Sequence, residues 1–375
     1  MGPLHGVRIV EIASAAPAPF ACMVLGDLGA DVLRVDRVHG RSGEQPSTDP
    51  LKRGRSSVAV DLKSSEGAAM VHKLAERADV LVEGFRPGVA ERLGIGPEDC
   101  HAVNAALVYG RMTGWGQSGP MAPRAGHDIN YISLAGALDP IGRHGEAPVP
   151  PLNLVGDFGG GGLLLALGIL AALYERGQSG VGQVVDAAMV DGAGLLTASL
   201  HGMRAAGLWS DERGTNILDS GAPFYDTYQT ADGRYVSVGA LEHRFYAQLL
   251  DGLGIEPTSM PPQYDRASWP DLRAKLAEAF RSKTRDEWEE IFRDTDACVT
   301  PVLAPDEATA HPHAVARNAF VDVDGVVQPA PAPRFSRTPG TPRRAQEATT
   351  HPLQSWGFSS NEIADLHSHG AVTQS

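Results

Sequence analysis

Short apolar segments alternate with helical segments through the first third of the chain, and this alternation limits the possible folds more than any other feature. Strands separated by helices are typical of a parallel sheet whose two faces are covered by helices. We predict strands at residues 7–12, 32–35, 58–62, 80–82 and 107–109, with helices at 19–28 and 64–77 between them. The predicted fold class is therefore α/β with a mostly parallel sheet.

A second pattern begins near residue 221. Two strand-like segments, 227–230 and 235–238, flank Asp232-Gly233, a dipeptide that favours a hairpin turn. Helical patterns follow at 245–253, 271–281 and 285–293. We therefore predict a large domain over residues 1–190, to which residues 325–375 return, a linker over 191–220 and a small α+β domain over 221–324.

The formal net charge of −13 argues against a nucleic-acid partner, because contacts with many phosphates need a basic surface. Cys22, Cys100 and Cys298 are predicted to be buried thiols in a reducing compartment. Residues 158–174 form an uncharged apolar run with five glycines, which favours a buried core helix over a membrane span. With no secretory signal at the N-terminus, we expect a cytoplasmic protein without membrane association.

Residues 34–55 are locally basic. They contain six basic side chains, Arg34, Arg37, Arg41, Lys52, Arg53 and Arg55, against three acidic ones. Arg37 follows one predicted strand, and Arg53 and Arg55 precede another, so both groups are predicted to point into one loop edge of the sheet. At such an edge, guanidinium groups bind phosphates or stack on an adenine ring. A solvated basic face explains the same composition equally well.

Polar residues cluster at the start of a predicted helix, where His127 and Asp128 are followed by Asn130. Either Asp128 or Asn130 caps this helix with His127 at the surface, or the group forms a site. Asp157, thirty residues after His127, precedes a glycine run and an apolar helix. It is either an N-cap or a carboxyl group at the lip of a cleft, beside amide groups that bind an oxyanion. The residues alone leave both interpretations open.

Several longer segments resemble the α-methylacyl-CoA racemase family, within the family III CoA-transferase superfamily. The matching segments are residues 7–12, 16–20, 29–37, 82–89, 114–119, 125–131, 151–157, 221–225 and 297–302. The resemblance implies a Rossmann-like large domain that binds coenzyme A in place of a dinucleotide, and an interlocked homodimer with active sites where large and small domains meet.

The resemblance also implies roles for individual residues. His127 and Asp157 match the two catalytic bases, and Glu242 matches a glutamate that helps to orient the histidine. The residues that match the binding site for the acyl-CoA substrate are Arg37, Ala59, Val60, Asp61, Leu62, Arg86, Gly126, Ile129, Asn130 and Tyr131.

The CoA transferases of the same superfamily are the alternative. They use an aspartate nucleophile that matches Asp128, but the residue before that aspartate is typically tyrosine. In this chain it is His127, and Asp157 is also present, which favours racemisation.

Two bases on opposite faces of an α-carbon would invert it through an enolate. Neutral His127 would deprotonate one epimer while protonated Asp157 returns a proton to the other face, and the roles reverse for the second epimer. Such catalysis typically contributes about 10²–10⁴-fold. Amide donors near Gly126 or Asp157 are expected to bind the enolate oxygen. We expect no metal or redox cofactor, since coenzyme A enters as part of the substrate.

Overall fold

The computed structural model describes residues 2–38, 48–344 and 351–373. Its strands are β1 (Arg8–Ile12), β2 (Asp31–Arg37), β3 (Arg55–Val60), β4 (Val80–Glu83), β5 (Val108–Thr113), β6 (Val184–Ala188), β7 (Tyr225–Gln229), β8 (Tyr235–Gly239), β9 (Val299–Pro301), β10 (Phe320–Val323), β11 (Val326–Pro329) and β12 (Val372–Thr373).

The helices follow the same order, and a π-helical segment, Leu154–Leu163, runs directly into α6. They are α1 (Pro17–Asp27), α2 (Ser65–Ala75), α3 (Val89–Arg92), α4 (Pro97–Val103), α5 (Asp128–Leu134), α6 (Leu164–Ser179), α7 (Met189–Leu196), α8 (Ala198–Ala205), α9 (His243–Leu253), α10 (Trp269–Phe280), α11 (Arg285–Phe292), α12 (Pro305–Ala310), α13 (Pro312–Ala316), α14 (His351–Ser355) and α15 (Ser360–Ser368).

A seven-stranded sheet forms the centre of the first of two compact units, in the order β12-β3-β2-β1-β4-β5-β6. The strands from β3 to β6 pair in parallel, and β12 pairs antiparallel with β3 at the edge. The α/β fold class with a mostly parallel sheet is therefore confirmed. The five predicted strands are β1 to β5. The sixth parallel strand, β6, is partly exposed and has no continuous apolar run that would have indicated it.

Successive residues of the central strands point to opposite faces of the sheet and enter two separate cores. One core contains Ile9, Val32, Val80 and Val108, packed with side chains of α1 and α6. The other contains Val10, Leu33, Leu81 and Tyr109, packed with side chains of α2 and of the C-terminal helices. Burial on both faces explains why these strands are continuous apolar runs in the sequence.

Helix α2 begins where its sequence predicts and ends two residues earlier than predicted, at Ala75. Ser64 is the N-cap, and its Oγ accepts the backbone N–H of Gly67 at 3.0 Å. Glu66 lies in the first turn, and His72 and Lys73 lie in the last, which suits the helix dipole at both ends.

Among the described residues, one helix has the length and composition of a membrane span: Leu154–Ser179, 26 residues with a mean hydropathy of 1.8. Leu165 and Ile169 are fully buried in the core of the first unit. Leu163 and Leu167, in contrast, are 50% and 62% exposed. The prediction of a buried core helix is therefore correct for one face of this helix and wrong for the other.

The second unit comprises Gly136–Pro151 and Thr197–Pro312. Strand β7 pairs antiparallel with β8 in the predicted hairpin, and β8 also pairs with β9. The core of this unit lies between that small sheet and helices α9, α10 and α11, and its largest fully buried side chains are Phe224, Phe280 and Trp288.

The bounds of the two units differ from the predicted domain boundaries. Residues 136–151 and 197–220 belong to the second unit, and the chain returns to the first unit at residue 313, not near 325. The predicted linker over 191–220 contains α8 and most of α7. Residues 351–373, for which the sequence indicates no role, complete the sheet edge through β12 and place Trp356 in the core.

The cysteines differ in burial. Cys22 and Cys100 are buried, as predicted, and burial raises the pKa of the Cys100 thiol to about 12. Cys298 is exposed, so the prediction of a buried thiol is wrong there. It directly precedes β9, with a left-handed backbone of φ 53°.

Candidate active site

Helix α5 begins directly after His127, which is its N-cap residue. The backbone N–H of His127 donates to Asn130 Oδ1 at 3.0 Å, so Asn130 stabilises the start of the helix. The His127 side chain is exposed and therefore accessible to a ligand. Of the two capping residues that the sequence allows, Asn130 takes this role, whereas Asp128 makes a different contact.

Asp128 connects the start of α5 to the π-helical segment. Its side chain is 7% exposed, and its Oδ1 accepts the backbone N–H of Asp157 at 2.6 Å. This approach requires glycine at position 156, because a Cβ there would lie 2.5 Å from the same oxygen. Within the described part of the chain, Asp128 Oδ2 is buried and has no hydrogen-bond partner. The contact brings Asp157 next to the residue that follows His127.

Asp157 lies in the first turn of the π-helical segment and is partly buried. Its Oδ2 accepts Asn153 Nδ2–H at 3.1 Å. Burial raises the pKa of the Asp157 carboxyl above its ordinary value, against the opposing effect of the Asn153 hydrogen bond. The negative charge of Asp128 also raises this pKa, and His127 lowers it. Asp157 therefore keeps its proton to a higher pH than a free aspartate does, and it is not the N-cap of this segment, which is Asn153.

The glycine run allows the π-helical segment to pack closely against its neighbours. A Cβ on Gly160 would lie 2.6 Å from the backbone nitrogen of Ala193 in α7, and one on Gly162 would lie 2.7 Å from the Phe20 ring in α1. Single π-helical turns are rare and often occur at functional sites. Here Gly161 and Gly162 of the segment lie against Pro17 and Phe20 at the start of α1, which follows the carboxyl end of β1.

Tyr131 attaches the loop after β5 to α5. Its ring packs edge to face on Trp115, with 4.8 Å between the ring centroids, and its hydroxyl donates to the Gly126 carbonyl oxygen. Burial raises the pKa of the Tyr131 hydroxyl, and the charges of Asp157 and Asp128 add to this effect. Tyr131 therefore acts as a hydrogen-bond donor that fixes the chain immediately before His127.

A second group of predicted residues meets at the carboxyl ends of β2 and β3. The parallel register places Arg37 beside Val60, and Ala59, Asp61 and Leu62 adjoin Val60 in the chain. The Arg37 side chain is exposed, whereas Ala59 and Val60 are buried. This arrangement leaves a guanidinium group accessible at the edge where ligands of open α/β sheets bind.

Arg53 and Arg55 lie near the amino end of the sheet, and the prediction that they share an edge with Arg37 is wrong. Arg53 is 5% exposed, and its Nε donates to Asp27 Oδ1 at 3.1 Å. Arg55 is 2% exposed and forms an ion pair with Glu11. Buried guanidinium groups that are paired in this way are not accessible to a phosphate.

The remaining predicted residues divide between the two units. On the first unit Ile129 is exposed in α5, directly after Asp128, and the charge of the exposed Arg86 opposes the rise in the pKa of Tyr131. Arg41 falls outside the described residues. Glu242 belongs to the second unit, where it is the N-cap of α9. Burial, followed by the charge of Glu242, raises the pKa of the Cys298 thiol. Over the described ranges, no group of three His, Cys, Asp or Glu side chains is placed to hold a metal ion.

Sequence reasoning missed Asn153 and Gly156. Asn153 precedes Asp157 by four residues, a spacing at which helical side chains meet, and this spacing could have indicated their hydrogen bond. Gly156 could not be singled out within a glycine-rich segment, because its role depends on the position of Asp128 in space.

Comparison with known proteins places the chain in a family. A model of CoA-transferase family III matches residues 4–348. The chain is 50% identical to an α-methylacyl-CoA racemase of Mus musculus, over 98% of this chain and 97% of that protein. It is 46% identical to an α-methylacyl-CoA racemase of Homo sapiens, over 97% of this chain and 96% of that protein.

A solved structure has the same fold. The crystal structure of a CAIB/BAIF family protein from Brucella suis superposes with a TM-score of 0.81 at 26% identity, covering 94% of this chain and 98% of that one. Since the family model and both relatives cover nearly the whole sequence, the chain belongs to CoA-transferase family III.

Proposed function

We propose that the chain is a racemase that interconverts the (2R) and (2S) epimers of 2-methylacyl-CoA thioesters. The two relatives named for this activity share 50% and 46% identity with it. The observation that carries the proposal is the hydrogen bond from the Asp157 backbone to Asp128, the residue next to His127. It keeps an exposed imidazole and a partly buried carboxyl close together on one unit.

His127 and Asp157 act as opposing acid and base. In one direction neutral His127 takes the α-proton, the electron pair moves onto the thioester oxygen as an enolate, and protonated Asp157 donates a proton to the opposite face. In the other direction ionised Asp157 takes the proton and protonated His127 donates one. Each turnover moves one proton onto the enzyme and one off it, so the thioester returns to its original oxidation and charge state.

The protonation of Asp157 supports this scheme. A carboxyl group that donates a proton near neutral pH must hold that proton well above the ordinary aspartate range. Burial raises the pKa of Asp157 in that direction. His127 contributes the other half of the pair, because an imidazole side chain can act as either the base or the acid in proton transfer.

The enolate oxygen needs hydrogen-bond donors. The backbone N–H of Asp157 itself donates to Asp128 Oδ1, and that of His127 donates to Asn130 Oδ1. The donors that we propose near Gly126 are therefore the first N–H groups of α5, because such groups have no acceptor within the helix. Removal of one donor of this kind typically costs about 3–4 kcal/mol of transition-state stabilisation.

We propose that coenzyme A lies along the carboxyl edge of the sheet, with its nucleotide against Arg37. The exposure of Arg37 beside Val60 and the buried backbone of Ala59 support this placement. No metal or redox cofactor takes part in this scheme, in which coenzyme A is carried on the substrate.

We also propose that the protein works as a homodimer. Exposed leucines support a partner subunit: Leu154, Leu163 and Leu167 along Leu154–Ser179, and Leu195 and Leu196 in α7 are each at least half exposed. Extensive exposed apolar surface usually marks an interface. The orientation of His127 by Glu242 and the cytoplasmic location stay predictions.

Exchange of the α-proton in D₂O tests the function. Each epimer of a 2-methylacyl-CoA should gain deuterium at C2 and yield the other epimer. The variant His127→Ala should slow this exchange by about 10²–10⁴-fold. His5→Ala, which removes an exposed histidine elsewhere on the first unit, is the matched control and should leave the rate unchanged.

The wild-type protein decides between the two family activities. Absence of exchange with every 2-methylacyl-CoA tested would contradict the racemase proposal. Movement of coenzyme A to an added free acid, lost in Asp128→Ala, would instead identify a transferase.

A further inference from the structure

Asp128 has no proton to move in the racemase reaction described above, yet it is the most buried carboxyl of the site, with 7% exposure. Its Oδ1 accepts the backbone N–H of Asp157, and its Oδ2 is buried without a partner in the described ranges. A buried carboxylate oxygen that lacks a donor costs free energy of folding. Retention of such a group at the site therefore calls for a functional explanation.

The position of Asp128 connects both bases. It follows His127 directly, and the backbone of His127 is held by Asn130. Through Oδ1 it also holds the backbone of Asp157. A displacement of this one carboxylate would therefore move Asp157 relative to His127.

The neighbouring backbone leaves room for this contact. Gly156 has no Cβ, and one would lie 2.5 Å from Asp128 Oδ1, 2.9 Å from its Cγ and 3.1 Å from Ile132 Cγ2. Any larger residue at 156 would push the carboxylate away from the Asp157 amide.

We propose that Asp128 is a positioning residue that fixes Asp157 relative to His127 and places a buried negative charge beside the Asp157 carboxyl. This inference rests on the proposed racemase function and deepens it. Repulsion between the two carboxyl groups favours the protonated form of Asp157, the form that donates the proton.

Among the described residues, His127 and Asp128 act on the Asp157 carboxyl, and the Tyr131 hydroxyl responds to it. Arg86 acts in turn on Tyr131. The other titratable or charged side chains on elements packed against the π-helical segment are Cys22 and Asp27 in α1, Tyr174, Glu175 and Arg176 in α6, Asp191 in α7, Tyr109 and Arg111 in β5, and Asp186 in β6. None of these is among the groups that shift the pKa of Asp157.

The sign of the pH effect follows from this arrangement. Loss of the Asp128 charge lowers the pKa of Asp157. The reaction requires that His127 and Asp157 together hold one proton. On the acid side of the pH profile of kcat/KM, activity falls because a second proton binds to this pair. We therefore expect that limb to move to lower pH when Asp128 becomes neutral.

Asp128→Asn tests the inference, because asparagine keeps an acceptor for the Asp157 amide and removes the charge. A neutral amide oxygen holds the Asp157 backbone less firmly than a carboxylate does. We therefore expect α-proton exchange to slow by about 10- to 100-fold, as for small displacements in an active site, and the acid limb to move to lower pH. Gly156→Ala keeps the carboxylate but displaces it, and it should give the same two changes. Asp27→Asn is the matched control, because Asp27 is 4% exposed but pairs with Arg53. This variant should lower stability and leave the acid limb in place.

Each outcome is decisive. If folded Asp128→Asn exchanges at the wild-type rate, or slows with an unmoved acid limb, the inference is wrong and the racemase function stands. If Asp128→Asn does not fold, Gly156→Ala is judged by the same two readouts. A wild-type protein that exchanges no α-proton contradicts the proposed function itself.

Discussion

The two ends of the parallel sheet use arginine in opposite ways. At the carboxyl end Arg37 is exposed beside a buried strand end. Near the amino end Arg53 and Arg55 are almost fully buried and paired with Asp27 and Glu11. Arginines of a single basic segment therefore divide between an exposed position, for which we propose ligand binding, and buried ion pairs. The role of each arginine depends on its burial and on its ion-pair partner, and not on its being an arginine.

The buried carboxyl groups show the same contrast. Burial raises the pKa of both Asp27 and Asp157. Asp27 faces the permanent charge of Arg53, which opposes this shift and keeps the carboxylate in place as a structural anion. Asp157 instead lies within the electrostatic reach of the His127 imidazole, which lowers its pKa. A buried carboxyl with a titratable partner can exchange a proton, whereas one with a guanidinium partner holds the fold together.

The largest expected effect is on catalysis at the carboxyl end. Asp157→Asn removes the proton donor while keeping an acceptor for Asn153, so interconversion of the two epimers should fall by about 10²–10⁴-fold. Rates of interconversion per folded molecule, followed in D₂O, provide the measurement. Interconversion within a few-fold of wild type would show that Asp157 is no more catalytic than Asp27.

Near the amino end, Arg55→Met should lower the free energy of unfolding by about 3–5 kcal/mol, because it leaves the buried Glu11 without its partner. Denaturant unfolding measures this loss. The double variant Arg55→Met/Glu11→Met should recover most of it, since two apolar side chains replace the ion pair. A weaker affinity of the folded single variant for coenzyme A would contradict a purely structural role.

Arg37→Ala should weaken binding of coenzyme A by about 10-fold or more, because a hydrogen bond to a charged group contributes about 1.5–3 kcal/mol. Its free energy of unfolding should change by no more than about 0.5 kcal/mol, as expected for an exposed side chain. Calorimetric titration with coenzyme A measures the first quantity. Unchanged affinity would remove Arg37 from the proposed site and end the contrast with Arg55.

The smallest effect concerns stability and pH. The pKa of Asp157 is higher in the folded than in the unfolded chain, so its contribution to stability is present at low pH and is lost as pH rises through the folded-state pKa. The variant Asp157→Asn has no carboxyl group at this position and therefore does not lose stability in this way as pH rises. Its stability relative to wild type should therefore increase from acidic to neutral pH, as measured by unfolding at a series of pH values. A constant difference would indicate an unshifted carboxyl.

Much of the large sheet could be predicted because apolar periodicity is a local property. Strands β1 to β5 are buried on both faces and appear as apolar runs, whereas β6 is partly exposed and was missed. The apolar helix that includes α6 was predicted as wholly buried, since composition does not distinguish a core from a face such as Leu163 and Leu167. His127 and Asp157 were each ambiguous alone, and only their matched flanking segments favoured catalysis.

The sequence by itself determined the α/β class, the family and the residues for which we propose catalytic roles, because these depend on periodicity and on segments that can be compared one by one. Only the tertiary structure decided which end of the sheet each arginine reaches, because strand register places Arg37 beside Val60 and leaves Arg55 at the opposite end. It also decided that Asp128 accepts the amide of Asp157. Such a contact depends on how α5 packs against the π-helical segment, and no local pattern in the sequence encodes that distance.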